Sequence, residues 1–373
     1  MAQCCEVCDI ARKLDGEISM GTMMSESKAA SDGRRGIFDV DDAWLEGRKE
    51  DAIDPELPIV DPHHHLWDRG SRYLLDEFRG DLGSGHNIRA TVFVQCDAMY
   101  RADGDPDLAP VGETEFVNGI AAMSASGGYG PTRVCAGIVG FAELQLGARV
   151  DAVLEAHLRA AGDRFRGVRG RSVWDADSTI KGSSRDFPPG LLLDPKFREG
   201  YARLRAHGLS FDSWLFHPQI PELTDLAGKY PDTPVILDHV GAPLAIGAYA
   251  GKRDEVFLIW KRNLEALAER PNVHVKFGGL AMHLFGFDLD AAHRSIPASS
   301  EELAALWRPY VETCIDIFGI NHCMFESNFP VDERGTSYVV LWNAFKRIAR
   351  DYSDAEKAAL FKDTACRVYR LSV

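Results

Sequence analysis

Leu57-Pro58-Ile59-Val60-Asp61-Pro62-His63-His64-His65-Leu66-Trp67-Asp68 is an apolar run that ends in three consecutive histidines. Residues i and i+2 of a strand share a face. A strand over 59–65 therefore projects His63 and His65 together and turns His64 away. Two neighbouring imidazoles at a strand end suit one metal ion, or an oxyanion without metal. Whether they form a site depends on the rest of the chain building a pocket around them.

From Leu57 onward, short β-rich runs alternate with helical stretches. Strands are expected over 59–65, 90–96, 133–141, 167–171, 209–216, 235–239, 273–277 and 323–328. Helical periodicity covers 143–161, 195–207, 222–230, 255–269 and 302–318, with two further stretches over 339–350 and 354–369. Runs such as Pro234-Val235-Ile236-Leu237 are wholly apolar, which suits parallel strands covered on both faces. Eight βα units point to an α/β fold, a (β/α)8 TIM-like barrel over 56–373. An open doubly wound sheet would show a glycine-rich phosphate loop after an early strand, and Val60 to His65 is not one. Residues 1–55 have no sustained apolar period and are rich in charge, Ser, Gly and Met. They are expected to be a poorly structured N-terminal extension.

Hydrophobic and charged contents of 45% and 26% are those of a soluble globular protein. A formal charge of -14 argues against nucleic acid or an anionic membrane as partner and leaves a small-molecule substrate. Homo-oligomerisation stays open, because exposed helices of such barrels often pair. With no apolar span and no h-region at the N-terminus, a cytoplasmic location is expected. The eight cysteines (4, 5, 8, 96, 135, 314, 323 and 366) are expected as reduced thiols. Cys5 and Cys8 have C-x-x-C spacing, but no second pair follows at zinc-ribbon distance.

In such a barrel, chemistry sits at the C-terminal strand ends. Those ends carry His63, His65, Gln95 to Asp97, Glu143, Arg169, Arg171, His217, His239, Lys276 and Asn328. Convergence of four histidines on one rim is hard to assign to structure alone. Arg169 and Arg171 share strand parity and suit a substrate carboxylate, although either guanidinium would equally serve a helix carboxylate. Trp67 and Trp214, with Trp174 and Phe277, are candidates to wall an apolar or aromatic substrate.

The segment from Val60 to Asp68 resembles the first-strand H-x-H motif of the amidohydrolase superfamily. The likeness is to the amidohydrolase family 2 branch of lactonases and non-oxidative decarboxylases. Phe216-His217-Pro218, Leu237-Asp238-His239-Val240-Gly241 and Met324-Phe325-Glu326-Ser327-Asn328-Phe329-Pro330 match its fifth-, sixth- and eighth-strand motifs in order, so the resemblance covers 57–371. It implies a distorted barrel and a hydrolase using one divalent metal or none. His63, His65 and His217 match the metal ligands, and His239 the residue that polarises substrate or shuttles a proton. Neutral imidazoles suit zinc, and three protein ligands leave a position for water.

The eighth strand departs from the pattern. Where the family usually carries an aspartate as general base, this chain has Asn328, whose amide has no useful basicity. Asn328 is left to position water or substrate, and the base is expected among His239, Glu326 and Asp332. The leading reading is hydrolysis of a lactone or other cyclic ester or amide of a small organic acid or aromatic. The alternative is a decarboxylase of an unsaturated or aromatic acid. The third is a non-catalytic barrel that has lost its base, against which the retention of all four histidines argues.

Overall fold

The computed structural model describes residues 40–69 and 71–373. Cys4, Cys5, Cys8 and most of the extension expected over 1–55 lie outside the described residues. From residue 40 the chain lies on the barrel surface. Trp44 Nε1 donates to the Arg294 carbonyl at 2.9 Å, and Glu50 accepts from Ser300 N at 2.8 Å.

Eight strands form one parallel sheet in sequence order: β1 Pro58–His64, β2 Asn87–Val94, β3 Arg133–Gly140, β4 Phe165–Arg171, β5 Ser210–Trp214, β6 Val235–Leu237, β7 Val273–Phe277 and β8 Cys323–Phe325. All eight coincide with the expected runs, and the barrel class is as expected. Helices follow the strands, from Val111–Ala125 and Val150–Ala161 round to Ser300–Phe318 and Tyr338–Ile348. The helices at Leu75–Leu82 and Val111–Ala125 are additions to the expected set. The second escapes a pattern reading because buried Glu113 and Thr114 interrupt its apolar stripe. No helix among the described residues is long and apolar enough to cross a membrane. Cys96, Cys135, Cys314 and Cys323 are buried free thiols.

Two buried apolar clusters alternate along the strands. Phe93, Val235, Leu237, Val275, Cys323 and Phe325 belong to the larger, which fills the layer under the helices. Val92, Val94, Ile236 and Met324 belong to the smaller, together with Tyr369, inside the barrel. Parity then sets what else points inward: two residues beyond Ile236 lies Asp238, and two beyond Met324 lies Glu326. Polar side chains thus replace aliphatic ones toward the strands' C-terminal ends. Strand β1 breaks this period. Its register against β2 shifts between Asp61 and His64, a bulge at Pro62-His63 that brings both Val60 and His63 to the inner face. Further shifts between β2 and β3 and between β3 and β4 complete the distortion.

The ring closes beyond the end of β8. Asn328 N donates to the His63 carbonyl at 2.9 Å, and His65 N to the Phe329 carbonyl at 2.8 Å. Asp61, wholly buried, clasps this seam. Its Oδ1 accepts from Ser327 N at 3.0 Å and its Oδ2 from Tyr338 Oη at 3.0 Å. Burial pushes the Asp61 carboxyl up to about 6, so these donors are what keep it in place. Tyr338→Phe leaves one buried carboxylate oxygen without its donor. It is expected to lower unfolding free energy by about 1–3 kcal/mol in urea titration, with the denaturant slope unchanged.

Candidate active site

Glu326 is the hub of the barrel mouth. Its Oε2 lies 2.7 Å from His63 Nδ1 and its Oε1 2.6 Å from His239 Nδ1, and all three residues are buried. The second contact fixes the His239 tautomer: its Nδ1–H donates to the carboxylate, leaving the lone pair on Nε2, while His63 Nδ1 also lies 3.4 Å from Lys276 Nζ. His65 is set the same way, with Nδ1 2.7 Å from the Val94 carbonyl. His63 Nε2 has no hydrogen-bond partner among the described residues. Burial alone would raise Glu326, yet the two imidazoles hold its carboxyl below the usual range.

His239 reaches this position through backbone geometry. Strand β6 ends at Leu237, and His239 and Val240 both take left-handed conformations, with φ of 53° and 50°. The chain rewinds there, so Asp238 and His239, adjacent in sequence, both face the mouth. Trp214 meets the His239 ring edge-on at 4.8 Å.

Behind the histidines lies a buried ion cluster. Lys276 Nζ is 2.7 Å from Asp212, 3.4 Å from Asp238 and 3.9 Å from Glu326. Desolvation disfavours the ammonium, but these carboxylates outweigh it and hold Lys276 above its usual range. Tyr369 Oη donates to Asp212 at 2.5 Å. Arg169 donates to Asp238 at 3.1 Å and to the Gln95 carbonyl at 3.2 Å, with Nη2 3.5 Å from His239 Nε2. Two fixed cations thus face three carboxylates, so the pocket favours one further positive charge on or beside the imidazoles.

The remaining expected residues fall in distinct places. Arg171 pairs with Asp97 at 2.7 Å, and its buried Nε has no hydrogen-bond partner among the described residues. Gln95 Oε1 is in the same condition. Trp67 stacks on His65 at 5.8 Å, whereas Phe277 packs outward on Phe325 and Trp174 is 37% exposed. His64 faces the helix layer, bonded to Thr91 at 2.9 Å and packed on Phe78, and burial lowers it to about 3. His217 accepts from Leu244 N at 3.3 Å through Nδ1, which puts its proton on Nε2, and burial lowers it to about 4. Asn328, in a left-handed conformation with φ 56°, donates from Nδ2 to Asp332 at 2.9 Å. Asp332 stands behind Asn328, and burial lifts it to about 8.

Among the described residues, His63, His239 and Glu326 are the one group of three whose donor atoms lie close enough together to share a metal ion. His65 adjoins that group, its ring 4.9 Å from His63. His217 lies outside it.

A family model described as amidohydrolase matches residues 60–371. The chain belongs to the amidohydrolase family. It is 31% identical to an uncharacterised protein, y4mH, of Sinorhizobium fredii, across 85% of this chain and 99% of that one. It is 25% identical to an L-fucono-1,5-lactonase of Burkholderia multivorans, across 84% and 96%. A solved amidohydrolase from B. multivorans with bound zinc superposes with a TM-score of 0.64 at 24% identity, over 84% of this chain and 99% of that one. Family membership and the eight-stranded barrel agree with the sequence expectations.

Four contributors to the mouth are absent from the sequence expectation: Asp212, Tyr369, Gly278 and Gly279. The glycines follow β7 directly, and a Gly-Gly pair at a strand end is a readable sign of close backbone approach. A Cβ on Gly278 would collide with Glu326, and one on Gly279 would lie 2.6 Å from His239 Cγ. Gly279 also has φ of 67°, which strains any side chain. Gly279→Ala is expected to displace the His239 ring and lower kcat/KM roughly 10²-fold on whichever substrate is turned over. Gly80→Ala, where an added Cβ meets nothing within 4 Å, is expected to leave it unchanged.

Proposed function

We propose that this protein is a hydrolase that opens a lactone or related cyclic ester by attack of water at the barrel mouth, with His239 as the base. The carrying observation is the 2.6 Å contact between His239 Nδ1 and Glu326. It leaves the Nε2 lone pair, 3.5 Å from Arg169 Nη2, as the site that takes a proton and places a carboxylate where it stabilises the resulting imidazolium. Glu326 and His239 together supply the basicity that Asn328 lacks. The relation to an L-fucono-1,5-lactonase supports the substrate class.

The roles follow from position. His239 Nε2 takes the proton of the attacking water. Arg169, anchored by Asp238 and the Gln95 carbonyl, presents Nη2 beside that nitrogen and stabilises negative charge developing on the carbonyl oxygen. Arg171, held in plane by Asp97, orients a polar or carboxylate group of the substrate. His217 offers an Nε2–H to a substrate oxygen. Asn328, pinned by Asp332, positions water or substrate. Trp67 and Trp214 wall the ring. The donor set also fits a divalent cation: His65 with its lone pair on Nε2, His63 with an Nε2 unpartnered among the described residues, and Glu326 beside them. Such an ion, zinc by ligand chemistry, supplies Lewis-acid polarisation of the carbonyl when bound.

A panel of sugar and dicarboxylate lactones, followed by proton release and by carbon dioxide evolution, tests the proposal. Proton release without carbon dioxide is expected. Carbon dioxide from an unsaturated acid, with every lactone left intact, would overturn it in favour of decarboxylation. His239→Ala and Glu326→Gln are each expected to lower kcat by about 10²–10⁴-fold.

The pH profile gives a separate test. Burial lowers His239 from its ordinary 6.5, against the opposing pull of Glu326. His239 is therefore neutral and basic at pH 7, and kcat/KM is expected to be level there and to fall only on the acid side of 6.5. Glu326→Gln removes the raising influence, so the acid limb should move to still lower pH.

Metal content before and after chelation, with turnover measured at each stage, reads the ion directly. Loss of turnover that zinc restores is expected if the ion takes part, and full turnover in stripped protein would remove it from the reaction.

A further inference from the structure

A second cavity lies at the opposite end of the barrel. It is about 390 Å³ in volume and is lined by Arg133, Arg164, Arg166 and Arg370, with Asp163 the acidic residue on its wall. Arg133 and Arg166 open strands β3 and β4, Arg164 precedes β4, and Arg370 follows the last helix, Thr364–Tyr369. None of the four makes an ion pair among the described residues. Arg164 donates to Asn118 at 2.8 Å and Arg370 to the Arg166 carbonyl at 3.4 Å, both neutral acceptors. The Arg166 Nε is buried with no hydrogen-bond partner among the described residues.

The chain carries 56 acidic and 42 basic residues. Arg72, Arg101, Arg149, Arg198, Arg203 and Arg205 all find carboxylates. The helices Val111–Ala125 and Val150–Ala161 end at this cavity, and each C-terminus offers roughly half a negative charge. With Asp163 they offset about two of the four guanidinium charges. About two positive charges remain; burial, and after it repulsion from Arg370, lowers Arg166.

We propose that this cavity is a binding site for a small polyanion bearing two or more charges on phosphate-type oxyanions. The guanidinium groups come from three separate segments, with Arg133 on one, Arg164 and Arg166 on the next and Arg370 on the last, an arrangement that suits a tetrahedral oxyanion better than a planar carboxylate. The volume is in the range of small-ligand sites. The proposal is independent of the chemistry at the barrel mouth.

Calorimetric titration of the whole protein with sodium pyrophosphate at low, constant ionic strength tests it. One saturable site per chain is expected, with Kd raised at least tenfold by Arg166→Gln and by Arg133→Gln. Arg133 is exposed, so its variant should keep the wild-type unfolding midpoint, and a loss of binding there is not a loss of fold. Arg171→Gln, at the barrel mouth, is expected to leave Kd within twofold. No saturable binding by the wild type, or variants at 133 and 166 that bind like it, would overturn the proposal. So would abolition of binding by Arg171→Gln, which would place pyrophosphate at the other end.

Discussion

A single carboxylate with an imidazole on each oxygen sets the chemistry of this barrel. Glu326 holds His63 and His239 side by side and fixes the tautomer of His239, and with it the direction in which its Nε2 lone pair points. Such an anion persists in a water-poor interior only because Lys276 and Arg169 balance it and its carboxylate neighbours. Removing one member would leave the others as uncompensated buried charges. The cluster is thus a structural necessity and a chemical device at once. The excess of one negative charge among these buried groups favours a positive charge beside the imidazoles.

Asn328 takes on a different meaning in this setting. Asparagine tolerates the left-handed backbone that the seam requires, and its amide nitrogen is committed to Asp332. Its backbone N–H closes the ring on His63. The residue serves barrel closure and orientation, while the proposed base, His239, stands two strands away. An aspartate here would add a fourth carboxylate to a pocket already short of positive charge.

The strands and their inward face were legible because alternation of side chains is a local property. Ile236 and Met324 inside imply Asp238 and Glu326 inside. The histidine pair was legible for the same reason, although the bulge at Pro62-His63 shifts the face on which β1 continues. Which partner each histidine meets was not legible. The Glu326–His239 contact joins residues 87 positions apart and depends on a left-handed turn that no spacing announces. Asp212 lies in an ordinary strand, and Tyr369 at the end of a helical stretch whose periodicity says nothing of the barrel interior. The four arginines were scattered over nearly 240 positions of sequence, and only the topology of the barrel gathers them.

Tyr369 carries a consequence for how the molecule assembles. Its hydroxyl meets Asp212, and Lys276 lies 5.3 Å from the centre of its ring. The ion cluster therefore stays wetted until a segment more than 90 residues downstream of Lys276 has docked. β1 likewise waits for residues 327–329 to complete its hydrogen bonding. Contacts of such long sequence separation are assembled late and slowly. A nascent chain released short of this helix would hold charged side chains in an unsealed barrel, and the geometry of the ion cluster would be the last part of the molecule to set.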